Sequence, residues 1–153
     1  MKLLPVLFAL MLLFAVVLVA ADPEGYAQYS SAQLKAREDA AKPDGHKVRL
    51  DRVGNWGNHA LLAIRRDADG EAEIHETQVD VIFVTSGEGT LILGGTMVEP
   101  HTTAPHEIRA NSIKGGVSKK MSAGDVIHIP AKIPHQMLVP KSLTFDVVKV
   151  DSN

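Results

Sequence analysis

After residue 45 the chain never goes more than about ten residues without a turn signal, and this constrains its fold more than any other feature. "HKVRLDRV" (46–53) alternates polar and apolar residues, and the turn cluster "GNWGN" follows it. "HALLAIRR" (59–66) leads to "DADG", a turn of the Asp-Gly type. "EAEIHETQV" (71–79) and "DVIFVT" (80–85) come next, and "SGEG" reads as a tight turn before "TLILGG". Near the C-terminus "DVIHIP", "HQMLV" and "LTFDVVKV" repeat the pattern. The reading gives roughly eight to nine short strands with Gly and Pro turns between them, the pattern of an all-β sandwich or barrel. Residues 96–124 hold Pro, Gly and polar residues with weak periodicity, and read as a long loop.

The N-terminal third differs. Lys2 precedes an unbroken apolar run from Leu3 to Val19, and Val19, Ala20 and Ala21 supply the small residues of a cleavage site. Residues 1–21 therefore read as a secretory signal peptide, which implies a secreted or periplasmic protein. An uncleaved membrane anchor is the alternative, because the run nearly reaches spanning length. Residues 22–45 read as a leader with one short helix, which has a Ser cap in "SSAQ", helix formers up to Lys42, and a stop at Pro43 and Gly45. Residues 46–153 form the β domain.

At 153 residues there is room for one core. The chain has no cysteine, which excludes disulfides, thiolate metal sites and lipid attachment through cysteine. Removing residues 1–21 leaves 15 basic against 18 acidic side chains, a net charge of −3. A nucleic-acid partner needs a basic footprint and is not expected. Nor is a membrane partner once the signal is cleaved.

Two stretches carry chemistry. Glu73 and His75 lie two apart on an expected strand, so they share a face. Asp80 joins them only if the chain bends between Thr77 and Val79. Otherwise it is a turn residue opening a strand. His135 begins a strand directly after Pro134. Glu73 can be read as a ligand, a general base or a solvated strand charge.

The stretch "GDVIHIPAKIPH" resembles the second sequence motif of the cupin superfamily, with Gly124, Pro130 and His135 in the places of its Gly, Pro and metal-binding His. The first cupin motif is matched in spacing by Glu73, His75, Asp80 and Gly87, with Glu73 where a His is usual and Asp80 where a Glu is usual. The resemblance implies a single jelly-roll β-barrel. It also implies a divalent metal, Fe, Mn, Ni or Zn, held by His75 and His135 with Asp80 and Glu73 as further ligands. Two activities follow from it as expectations. One is a metal-dependent enzyme of dioxygenase, isomerase or decarboxylase type acting on a small organic molecule, with Glu73 as its base if it does not ligate. The other is a non-enzymatic barrel binding a sugar or metabolite. A homodimer paired through sheet edges is expected, unless the N-terminal helix covers an edge.

The remaining histidines are weaker candidates. His128 faces either the cavity or the outside. His101 and His106 sit in the expected long loop, as a lid or as exposed residues. His46 and His59 are uninformative, and Trp56 reads as a core or turn residue.

Overall fold

The computed structural model describes residues 20–152. Most of the expected signal segment therefore lies outside the described residues. Among the described residues no helix is long and apolar enough to cross a membrane.

Helix α1 (Ser31–Ala40) is opened by a capping box: the Ser30 hydroxyl accepts from the Gln33 N–H, and the Gln33 side chain accepts from the Ser30 N–H. Its last turn closes through the Ala41 N–H, which donates to the carbonyls of Arg37 and Glu38. As expected, it packs on the outside of something larger. Arg37 pairs with Asp51, the Arg49 guanidinium donates to the Ala41 carbonyl at 2.7 Å, and Glu38 is buried against the sheet beside Thr144.

Among the described residues twelve strands follow: β1 (Val48–Asn55), β2 (His59–Arg66), β3 (Ala72–His75), β4 (Gln78–Leu93), β5 (Thr96–Val98), β6 (His101–Ala104), β7 (Glu107–Ala110), β8 (Ser112–Lys114), β9 (Val117–Ser122), β10 (Val126–Ile129), β11 (His135–Leu138) and β12 (Leu143–Asp151). Every pairing between them is antiparallel. Strand β4 organises the molecule. Its first half lies between β12 and β10, in a sheet ordered β1-β2-β12-β4-β10. Its second half lies between β11 and β9, in a sheet ordered β6-β7-β3-β11-β4-β9. Strands β5 and β8 form a separate ribbon.

Both sheets contribute inward residues to one apolar core. Leu62, Ile64, Ile82 and Phe145 come from the first, and Leu91, Met121 and Met137 from the second. This is the all-β architecture expected of the sequence, with two corrections. The stretch "SGEG" is not a turn between strands, because β4 runs straight through it. Gly87 has φ +80°, and the β4–β12 register shifts between Thr144 and Phe145. The glycines bend and bulge one long strand so that it crosses from sheet to sheet without reversing. The second correction concerns residues 96–124, which hold five short strands instead of a loop. Runs of three to six residues broken by Gly and Pro are too short to show a period.

Candidate metal centre in the barrel

Four polar side chains point into the core: Glu73, His75, Asp80 and His135, each at most 7 % exposed. Sheet geometry places them together. On β3, Glu73 and His75 share the inward face, as expected. The chain breaks at Glu76 and Thr77 and re-enters as β4, where Asp80, Ile82 and Val84 are the buried alternate positions. The bend needed to bring Asp80 inward therefore exists. His135 opens β11 directly opposite Glu73. Its loop is fixed by Lys132, at φ +67°, whose N–H donates to the His75 carbonyl at 2.8 Å.

Both imidazoles are oriented by their Nδ1 atoms. His75 Nδ1 lies 2.7 Å from a Glu107 carboxylate oxygen, and His135 Nδ1 lies 3.0 Å from the Ile133 carbonyl. Each acceptor requires Nδ1 to carry the proton, so each neutral ring presents the lone pair of Nε2 to the interior. The rings lie 5.3 Å apart, centroid to centroid. His135 Nε2 is buried and makes no hydrogen bond; its nearest carboxylate oxygens are Glu73 Oε1 at 3.5 Å and Asp80 Oδ2 at 4.0 Å. Glu73, His75 and His135 each offer a ligand atom within 4.8 Å of the other two. Two imidazole nitrogens and a carboxylate, with one nitrogen otherwise unsatisfied, fit a divalent transition metal.

Asp80 stands beside this triad. Its Oδ2 is 3.5 Å from His75 Nε2, while its Oδ1 is held at 2.8 Å by the ammonium of Lys149. Lys149 Nζ is also 2.8 Å from His75 Nε2. Glu73 is paired with Arg109, and Arg66 approaches its other oxygen at 3.8 Å.

These neighbours set the charges. Burial pushes the Glu73 carboxyl up, but His135, Arg109 and Arg66 outweigh it and hold the group well below the usual carboxylate range. Burial likewise raises Asp80, and its contacts with His75 and Lys149 reverse the shift to a lowered value. For His75, burial and the Lys149 charge work downward, while the nearby carboxylates of Asp80 and Glu73 leave it raised.

The sequence reading missed Lys149, Arg66, Arg109 and Glu107. Two of them left a signal. In "LTFDVVKV", Lys149 shares the parity of the buried Leu143, Phe145 and Val147, and in "HALLAIRR" Arg66 shares that of Leu62 and Ile64. Arg109 and Glu107 lie in the stretch read as a loop. As the β7 partners of Glu73 and His75, they became visible only with the strand pairing.

The other histidines lie apart. His128 is exposed on β10, which settles its face as outward. His101 begins β6, and His106 sits at φ +65° in the β6–β7 turn, 3.2 Å from Glu76. Both are exposed. His46 is exposed too, and exposed His59 stacks on half-buried Trp56. A cavity of about 540 Å³ lies elsewhere, between α1 and the outer face of the first sheet, lined by Leu34, Glu38, Arg65 and Asp146 among others.

Comparison with solved structures fits this arrangement of strands. A protein from Klebsiella pneumoniae with a double-stranded β-helix domain superposes with TM-score 0.56 at 13% identity, over 86% of this chain and 93% of that one. A Cupin 2 conserved barrel domain protein from Salinispora arenicola gives TM-score 0.51 at 14% identity, over 84% and 91%. The chain has the cupin fold. A third similar structure is Streptomyces Pac13 with uridine, at TM-score 0.53 and 11% identity over 76% of this chain and 80% of that one; Pac13 is described as a nucleoside dehydratase. No protein-family model matches the chain, and no curated protein sequence does either.

Proposed function

We propose that the barrel centre binds one divalent metal ion on Glu73, His75 and His135 and takes a small organic anion as its ligand or substrate. The observation that carries the metal is the buried, unpartnered Nε2 of His135, aimed at the same space as Glu73 and His75 Nε2. A desolvated imidazole nitrogen without a partner is costly, and a metal ion satisfies it. Bound there, the ion supplies Lewis acidity toward an oxygen-bearing ligand.

The charge balance supports an anionic ligand. Three carboxylates (Glu73, Asp80, Glu107) meet three cationic side chains (Lys149, Arg66, Arg109) around two imidazoles. With neutral imidazoles the cluster is balanced, and a divalent ion leaves it with an excess of positive charge even where it displaces the Lys149 ammonium. In a low-dielectric interior such an excess draws a carboxylate or similar oxygen anion. The Arg109 and Arg66 guanidiniums beside Glu73 favour its ionised form, which suits ligation more than a role as general base. Whether the ligand is transformed, by dioxygenation, isomerisation, decarboxylation or a dehydration of the kind named for Pac13, is decided by turnover assays on small oxyanions. The signal-peptide pattern of residues 1–21 supports a secreted or periplasmic location for this chemistry.

The second reading is metal-independent binding of the same class of small molecule. It is favoured by Lys149, whose ammonium already satisfies His75 Nε2 and Asp80. The two readings separate in one experiment. Metal content is measured on protein purified without added metal and after loading, for wild type, His75→Ala and His135→Ala. The metal reading expects near one equivalent in wild type and loss in both variants; equal content in all three contradicts it. Ligand binding that survives a chelator supports the second reading.

A further inference from the structure

We propose that Lys149 is the resident cation of the barrel centre: its ammonium holds the contacts that an incoming divalent ion must take over, so the Lys149 ion pair and the bound metal exclude each other. The inference rests on the metal reading given above and concerns the control of that same site.

Geometry carries it. Lys149 Nζ lies 2.8 Å from His75 Nε2 and 2.8 Å from Asp80 Oδ1. His75 has one lone pair on Nε2, because Nδ1 carries its proton toward Glu107. That lone pair accepts from an ammonium or binds a metal ion; it does not do both. A divalent ion on Glu73, His75 and His135 would also stand beside a charged lysine in a buried setting, where like charges repel strongly.

The fold explains why a lysine reaches this point. Lys149 is opposite Asp80 in the β12–β4 register, and it ends the inward column Leu143, Phe145, Val147. Its side chain is 17% exposed, against 7% for Asp80 and 4% for His75, so it enters from the rim. A long flexible stem at a rim can withdraw its charge to water while the strand stays in place. Withdrawal frees Asp80, which then stands beside the three donors as a fourth ligand and second carboxylate. In the metal-free protein the same lysine compensates Asp80, which would otherwise be a buried carboxylate with no cation beside it.

Titration of Mn²⁺ and Zn²⁺ into wild type, Lys149→Met and Lys149→Arg by calorimetry tests this. Methionine keeps the stem and removes the charge; arginine keeps the charge. The expected result is binding at least about tenfold tighter in Lys149→Met and no gain in Lys149→Arg. Binding by Lys149→Met alone also supports the proposal. Wild-type binding with no gain in a folded Lys149→Met overturns it and leaves the metal reading standing. No binding by either protein overturns both. A measurement on the unmutated chain covers the case of a misfolded variant. Acetylation of Lys149 by an amine-reactive reagent, followed by peptide mapping, is expected to rise at saturating metal. Where the unmutated chain binds the ion, an unchanged or reduced rate overturns the proposal.

Discussion

At the scale of single residues, the barrel centre follows from cross-strand partners. Glu73 faces Arg109 on one side and His135 on the other, while His75 faces Glu107 and Asp80 faces Lys149. Glu107 fixes the tautomer of His75, so Glu107→Gln is expected to weaken metal binding by roughly 10- to 100-fold without unfolding the protein. Calorimetric titration of that variant checks it. Arg109 has a different duty, since it compensates a buried carboxylate. Arg109→Ala is expected to cost about 3 kcal/mol in urea unfolding, because it leaves Glu73 with less cationic neighbourhood. A cost within experimental error of zero would mean that Arg66 and His135 already suffice.

What was legible in the sequence at this scale follows strand parity. Glu73 and His75 were readable as same-face neighbours because they lie two apart on a short strand. Asp80 was not, since its direction depends on the break at Glu76 and Thr77. Lys149 was readable in principle from its place after Leu143, Phe145 and Val147, although a lysine near a strand end is ordinarily a solvated charge. Arg109 and Glu107 were out of reach, because their importance comes from pairing β7 with β3 and not from any local pattern.

At the scale of elements, β4 and α1 each make a test. Strand β4 crosses between sheets at Gly87, where φ is +80° and an added Cβ would lie 2.1 Å from the Ser142 carbonyl oxygen. Gly87→Ala is expected to destabilise the fold by about 1–3 kcal/mol, read from the urea midpoint at unchanged slope. Glycine marks such a bulge and a hairpin turn alike, and this is why "SGEG" read as a reversal. Helix α1 buries Glu38 against the first sheet, next to the cavity that also contains Asp146. Burial raises the pKa of both carboxyls. A folded-state pKa above the unfolded value favours the native state while the acid is protonated, and that contribution is lost as pH rises through the folded pKa. Glu38→Gln is therefore expected to gain stability over wild type on going from pH 4 to pH 8, measured by thermal melts across that range. A constant difference would show that the Glu38 carboxylate ionises without penalty.

For the whole molecule, the two sheets make a container whose inner wall is apolar except at one place. Strand spacing was enough to read the container as all-β, and the cupin resemblance of residues 73–135 gave the barrel. The small strands between residues 96 and 122 escaped because each is stabilised by its neighbours in space and not by its own pattern. That polar place holds Glu73, His75, Asp80 and His135. A metal that binds only the folded barrel stabilises it by mass action, about 2.7 kcal/mol at a hundredfold excess over Kd. The most direct measurement is a denaturation midpoint of wild type and His135→Ala, each with and without saturating Zn²⁺ or Mn²⁺ and after chelator. A metal-dependent rise is expected in wild type, reversed by chelator and absent in His135→Ala. The same response to metal in both proteins would contradict a metal site at His135.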